Sequence, residues 1–238
     1  MDMHNHTRWS DGYQTVEELI EYALSNGVTH LGITDHYETS KCPSLAPVRI
    51  PDYINEIRSV GEKFKGQVQL YAGIEVNVRT DETDLNKLNF KTLNKLDYVL
   101  FEYVNQRKYS LTLDQLSTYT HKLSIPCGLA HTSLDLLTKK YADEGGIERV
   151  LEQMRNNNLF WEINVNNGYR YSRSILGTNA ENEDYRNMIA EKLKEHQIRV
   201  SIGTDCHTKI NDYIENRRKA HEIVKRLGIK PFPVEFVF

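Results

Sequence analysis

Short runs rich in β-branched and aromatic residues alternate along the chain with longer stretches whose apolar residues recur every three or four positions. The first kind falls at 1–6, 29–34, 69–76, 98–103, 126–130, 160–164 and 199–202 and predicts buried strands. The second kind predicts amphipathic helices at 15–26, 51–65, 86–94, 112–123, 146–157, 181–196 and 212–227. In the first of these, Val16, Leu19, Ile20 and Ala23 share one stripe while Glu17, Glu18 and Glu21 face away. Thr15 followed three residues later by Glu18 reads as a capping box, and Gly27 as the stop. Pro51 stands in the first turn of the next helix, whose face carries Ile54, Ile57 and Phe64. Strictly alternating strands and helices predict an α/β fold with a parallel sheet under helices. A closed barrel and an open doubly wound sheet fit the pattern equally. No Gly-x-Gly-x-x-Gly fingerprint or Walker loop follows a strand, which weakens the nucleotide-binding forms of the open sheet. No linker or repeat divides the chain, so one domain over 1–238 is expected.

Composition adds exclusions. Of 238 residues, 39% are apolar and 26% charged, the balance of a chain that buries a core. Thirty basic against 33 acidic residues leave a formal charge of −3, which argues against a protein that coats long nucleic acids. No apolar run approaches the roughly 18 residues of a membrane span, and no apolar h-region follows the start. A cytoplasmic protein is therefore expected. The cysteines, Cys42, Cys127 and Cys206, lie far apart and are odd in number, as in cytosolic usage rather than a disulfide framework. The unusual count is nine histidines.

Five of the nine fall at the carboxyl end of a predicted strand, where parallel α/β folds build their active sites. The first run ends in His4-Asn5-His6 and leads to Asp11-Gly12; the second leads to Thr34-Asp35-His36; the third contains Glu75. The fifth leads to Ala130-His131, and the seventh to Gly203-Thr204-Asp205-Cys206-His207. His30, His121, His196 and His221 fall in or beside helices and connections and read as ordinary polar residues. Residues i and i+2 share a strand face, so His4 and His6 reach one ion with Asn5 turned away, and Asp205 and His207 repeat the arrangement. Imidazole nitrogen with carboxylate oxygen suits zinc, manganese and iron. Eight such groups exceed the three or four ligands of one catalytic zinc, so two or three divalent ions are expected, with Glu75 as the bridging carboxylate. Taken singly, each motif has a bland reading as a surface pair, a helix cap or a paired core carboxylate. Those readings do not explain recurrence at the same end of successive strands. Burying these groups together without a cation would cost roughly several kcal/mol per unpaired charge.

The set His4-x-His6, Asp11-Gly12, Thr34-Asp35-His36, Glu75, His131 and Gly203-Thr204-Asp205-x-His207, in this order over nearly the whole chain, resembles the PHP (polymerase and histidinol phosphatase) family. The resemblance implies a distorted (β/α)7 barrel with a trinuclear metal site at its C-terminal face. It implies His4, His6, Glu75 and Asp205 at a first metal, Glu75 and His131 at a second, and Asp11, His36 and His207 at a third. Asp35, on the opposite strand face, would support rather than ligate. One departure concerns the fourth strand, where members usually carry a further histidine. The equivalent position here is Val104, which cannot coordinate a metal. Glu102, two residues earlier on the same face, either replaces that ligand or is a paired barrel residue beside a weakened second site.

Two segments resemble the histidinol-phosphatase-like branch: Glu162-Ile163-Asn164 followed by Gly168-Tyr169-Arg170, and the run 200–207. By that resemblance Arg170 binds the substrate phosphate, with Arg8 and Arg173 as weaker candidates, because a guanidinium bonds phosphate oxygens in pairs. The implied activity is hydrolysis of a small phosphomonoester similar to histidinol phosphate, by a hydroxide bridging the metals. Asp205 or His207 would assist proton transfer to the leaving oxygen. Cys127 and Cys206 lack the loop of a cysteine phosphatase and read as small barrel residues. The rivals are a phosphodiesterase or exonuclease acting on short nucleotides, a protein-tyrosine phosphatase of the same family, and a binding protein that has lost the chemistry. An amidohydrolase barrel, which typically bridges its metals with a lysine, is disfavoured by Glu75.

Overall fold

The chain threads repeatedly from strand to helix: α1 (Val16–Ser25), β1 (His30–Ile33), β2 (His36–Tyr37), α2 (Ile50–Lys63), β3 (Gln69–Ala72), β4 (Glu75–Asn77), α3 (Phe90–Leu93), β5 (Val99–Glu102), α4 (Leu113–Thr120), β6 (Cys127–Ala130), α5 (Leu134–Lys140), α6 (Ile147–Asn156), β7 (Leu159–Asn164), α7 (Glu183–Glu195), β8 (Val200–Gly203) and α8 (Ile214–Leu227). The computed structural model describes residues 1–166, 170–177, 183–208 and 213–233. Gly168 and Tyr169 of the Gly-x-Arg loop, and positions 181, 182 and 212 at two expected helix starts, lie outside the described residues. The capping box of α1 forms as the sequence indicates: Glu18 N donates to Thr15 Oγ1 at 3.2 Å and Thr15 N to Glu18 Oε2 at 2.7 Å.

Every strand pairing is parallel, in the orders β1-β3 and β2-β4-β5-β6-β7-β8. The runs expected as single strands at 29–34 and 69–76 are divided, the first ending as β1 with β2 beyond it, the second giving β3 and β4. At the break the Tyr53 hydroxyl from α2 lies 3.0 Å and 2.9 Å from the carbonyl oxygens of Ile33 and Gly73, and 3.4 Å from the Asp35 amide. A phenol thus serves main-chain groups at the point where the regular ladder stops.

The run 1–6 is not the regular strand expected from its composition. It is bonded on both sides all the same. Asp2 N donates to His30 O and Thr34 N to Asn5 O, both at 2.8 Å; Met3 N donates to Ile202 O at 2.7 Å and His6 N to Cys206 O at 3.0 Å. Side chains take other amides of this seam: Asn5 N donates to Thr34 Oγ1 at 3.1 Å, and Thr204 N to Asp2 Oδ1 at 3.0 Å. The seam therefore joins β8 to β1 through hydrogen bonds and isolated bridges. This closes a distorted ring of seven parallel segments and decides between the two architectures the pattern left open.

Two helices differ from expectation. The helix at 86–94 shrinks to the four residues of α3, because Asp84 and Asn89 side chains cap separate short turns at Asn86 N and Thr92 N. Helix α5 has seven residues, of which Leu134 and Leu137 are buried, too few to leave a periodic signal. At the N-terminal ends of the strands the ring is plugged by aromatic side chains. Phe160 and Phe232 stack with centroids 4.0 Å apart, and Tyr98 Oη donates to Met3 O at 2.6 Å. The other end is lined by ionisable groups. Among the described residues no helix is long and apolar enough to cross a membrane.

Candidate metal centre

Strand alternation brings His4 and His6 inward, with their Nε2 atoms 3.1 Å apart. Asn5 turns away and donates to Gly32 O at 3.1 Å while accepting from Thr204 Oγ1 at 3.2 Å. Asp205 and His131 arrive by another route. Both have left-handed backbones, φ 51° and 38°, Asp205 two residues beyond β8 and His131 one beyond β6. Such conformations are costly for side-chain-bearing residues and cluster where function needs them. The convergence of Asp205 with His207 therefore comes from a turn beyond β8, not from the i, i+2 alternation expected of a strand. Gly203, just before it, has no alternative: a Cβ there would run into the Glu162 carboxylate and His4. Asp11 is delivered by a loop folded tightly against the end of the first run, where a Cβ on Gly12 would collide with the His6 carbonyl. Asp35 holds that loop, accepting from Thr7 N at 2.8 Å, Thr7 Oγ1 at 2.7 Å and Ser10 Oγ at 2.6 Å.

All nine residues singled out as ligands meet at this mouth. Their donor atoms form four overlapping sets, each with its atoms within 4.8 Å of one another: His6, Asp11, His36 and His207; His4, His6 and Glu75; His4, His131 and Asp205; and His36, Glu75 and Glu102. Glu75 is central. Its Oε1 lies 3.0 Å from His131 Nε2 and 3.4 Å from His4 Nε2, and its Oε2 lies 3.0 Å from His36 Nδ1 and 3.6 Å from His6 Nε2. Both Glu75 oxygens, His6 Nδ1, His36 Nδ1, His131 Nε2 and Asp205 Oδ1 are buried with no hydrogen-bond partner. Leaving so many polar atoms unserved is expensive, and shared divalent cations would serve them together. The donors are imidazole nitrogens and carboxylate oxygens, a chemistry that fits zinc, manganese or iron.

The electrostatics point the same way. Burial opposes ionisation of Glu75, but His4, His131 and His36 outweigh it and hold the carboxyl well below the usual carboxylate range. Burial likewise opposes a charge on His36, yet Glu75, with the Cys42 side chain and Glu102, pushes its pKa up to about 11. Asp205 and Glu75 overcome burial to push His131 up to about 9. His6, buried between the rings of His36 and His207, is pushed down to about 3 and stays neutral. The carboxylates demand positive charge, and with protons alone the imidazoles must supply it.

The supporting residue that sequence reasoning passed over is Glu162. Its Oε1 accepts from His4 Nδ1 at 2.6 Å, and its Oε2 accepts from His131 N at 2.8 Å. This leaves His4 Nε2 facing the centre, the usual way a carboxylate orients a metal-binding imidazole. The signal was present: Glu162 is an isolated carboxylate between Phe160 and Asn164 on the inward face of β7. Glu162→Gln is expected to weaken metal affinity by about 10–100-fold with little loss of fold, measured by competition with a chromogenic chelator. Unchanged affinity would remove Glu162 from the site. Glu102 is fully buried and bonded to Lys41, the paired arrangement that was one of its two readings, with a partner the sequence did not reveal.

The three arginines separate. Arg170 lines a cavity of about 310 Å³ with Val104, Gln106, Arg107, Thr132 and Tyr171. The Tyr171 ring lies 5.6 Å from His131. Arg8 instead donates to Tyr13 O at 2.7 Å and lines a different cavity with Trp9 and Glu56. Arg173 is exposed, beside Gly177. Burial pushes the Cys127 thiol up to about 12, which removes it as a nucleophile near neutral pH.

Histidines and carboxylates converging at the carboxyl mouth of the parallel strands occupy the place where barrels of this kind build their active sites. The chain belongs to the PHP family, whose PHP domain matches residues 2–227. A probable phosphatase of Thermoanaerobacter sp. (strain X514) is 25% identical over 240 residues, covering 96% of this chain and 86% of that protein. The DNA polymerase/3'-5' exonuclease PolX of Bacillus subtilis is 24% identical over 212 residues, 87% of this chain, which spans 34% of that protein's length. Among solved structures, histidinol phosphate phosphatase from Lactococcus lactis, crystallised with zinc, L-histidinol and phosphate, superimposes with a TM-score of 0.61 at 17% identity, covering 97% of this chain and 94% of that one. The hisK protein of Listeria monocytogenes gives 0.58 at 14% identity, covering 90% of this chain and 96% of that one. At these identities the two structures show a shared fold.

Proposed function

We propose that this chain is a metal-dependent phosphoesterase that hydrolyses a small phosphomonoester at the barrel mouth. The observation that carries the reading is Glu75, whose two buried, unbonded oxygens face donor sets on both sides. The residues that would hold the ions are His4, His6, Asp11, His36, Glu75, His131, Asp205 and His207. Divalent ions held there would supply Lewis acidity, acidifying water and stabilising negative charge on the phosphoryl group. The chain's own groups do the rest. Glu75 keeps the two halves of the site in register, and Glu162 keeps His4 aimed. Asp205 and His207 lie 3.6 Å apart at the open edge, placed to hold a proton and pass it to the leaving oxygen. Arg170, at the rim beside Tyr171, is the phosphate-binding arginine that the geometry favours. The near-neutral charge suits a small substrate better than a polymer.

The experiment is a screen of phosphorylated metabolites, L-histidinol phosphate included, with Mn²⁺, Zn²⁺ or Fe²⁺ supplied, beside an aryl phosphate monoester and its matching diester. Monoester turnover at least about tenfold above diester turnover is expected. Preference for the diester would turn the reading towards a nuclease, as in the exonuclease relative. No turnover of any ester with any of the three metals would sink it.

Metal loading should also release protons. His36 and His131 hold protons at neutral pH when carboxylates alone surround them, and a ligating imidazole must be neutral. Ion affinity therefore rises with pH and falls as pH drops. Calorimetry in buffers of different ionisation enthalpy should give at least about one proton released per ion; a buffer-independent heat would show the imidazoles are not ligands.

A further inference from the structure

Lys41 enters the cluster from the loop after β2. That loop is pinned: Thr39 N donates to Ser44 Oγ at 3.1 Å, Lys41 N to Thr39 Oγ1 at 3.2 Å, and Ser40 N to the Glu82 carbonyl at 2.9 Å. The side chain then runs inward over the Tyr103 ring, its ammonium 4.9 Å from the centroid, and is 27% exposed. Nζ donates to both Glu102 oxygens, at 3.1 Å and 2.8 Å. Glu102 is the carboxylate that completes the set with His36 and Glu75, and its Oε1 lies 3.7 Å from His36 Nδ1 while its Oε2 lies 4.0 Å from His131 Nδ1. An ammonium on both oxygens neutralises that carboxylate and sets a fixed positive charge where a divalent ion on this set would have to approach. Val104, fully buried, offers no replacement ligand.

We infer that Lys41 is a built-in cation for one position of the cluster, so that the chain takes two divalent ions and the Lys41–Glu102 pair stands in for a third. One ion then belongs to His4, His131, Asp205 and Glu75, and the other to Asp11, His36 and His207, with His6 between them. The inference rests on the metal-dependent reading proposed above but does not follow from it.

Metal content separates the two. Wild-type protein equilibrated with excess Mn²⁺ and freed of unbound ion should carry about two Mn²⁺ per chain by elemental analysis. Lys41→Met, which keeps the length of the side chain and removes its charge, should carry about three. Adding Glu102→Gln to Lys41→Met should return the count to two. Three ions in the wild type, or two in a folded Lys41→Met, would overturn the role of Lys41 while leaving the metal-dependent reading standing. No ion in the wild type would overturn both. Should Lys41→Met fail to fold, the wild type still decides: an anomalous difference map from Mn²⁺-loaded crystals should show no peak within coordination distance of Glu102, and a peak there would refute the inference.

Discussion

Glu75→Gln is expected to lower phosphomonoester turnover by about 1,000-fold, with the barrel intact and the metal content reduced by at least one ion per chain. The substitution keeps the shape of the side chain and removes its charge. Removing an outer partner of a metal ligand costs about 10–100-fold, and Glu75 is closer to the chemistry than that. Its two oxygens lie within 3.6 Å of four imidazoles on three segments of the ring. Without its charge the histidines lose the anion that gathers them, and the sets His4, His6, Glu75 and His36, Glu75, Glu102 lose the carboxylate they share. Turnover and metal content should fall together, read on the same preparation with the far-ultraviolet circular dichroism unchanged. Full activity in Glu75→Gln would exclude the shared-carboxylate arrangement.

Stripping the ions should have the second large effect, on stability as well as on activity. A ligand present at 100 times its dissociation constant stabilises the folded state by about 2.7 kcal/mol. For a chain of this length each kcal/mol moves Tm by about 2–4 °C, so a drop of about 5–11 °C is expected for each ion lost to a chelator. The effect carries a pH signature. His36 and His131 have raised pKa values in the folded chain when only protons compensate the carboxylates. Protons therefore compete with ions increasingly as pH falls, and the chelator-dependent shift should shrink between pH 8 and pH 5. A shift that grew on acidification would contradict the ligand assignment, and no shift at any pH would mean that the cluster is held without ions.

How much of this was written in the sequence depends on the residue. His4 and His6 were legible because a strand's twofold period puts them on one face regardless of the rest of the fold. Glu75 was legible as a lone carboxylate in an apolar run. Asp205 was identified for its place at a strand end, but the reason it converges was not visible, since a left-handed turn is set by the neighbouring packing around Gly203. The seven units were countable, whereas the closure of the ring depends on single hydrogen bonds between the first six residues and segments nearly 200 positions away. Lys41 shows the limit most clearly. It lies in a polar loop with no periodicity, and only the tertiary structure brings it onto Glu102, 61 residues further along. Arg170 stood ahead of Arg8 only through the resemblance of its loop, and it is the fold that puts Arg170 in a cavity with Tyr171, beside His131, and Arg8 in another with Trp9 and Glu56.

The most direct test is a metal titration of chelator-stripped protein while phosphate release from an aryl monoester is followed. Release should be absent at the start, rise with added Mn²⁺, and reach its plateau at about two ions per chain. Equal release with and without ions, or a plateau unrelated to the number bound, would contradict catalysis by ions held at the barrel mouth.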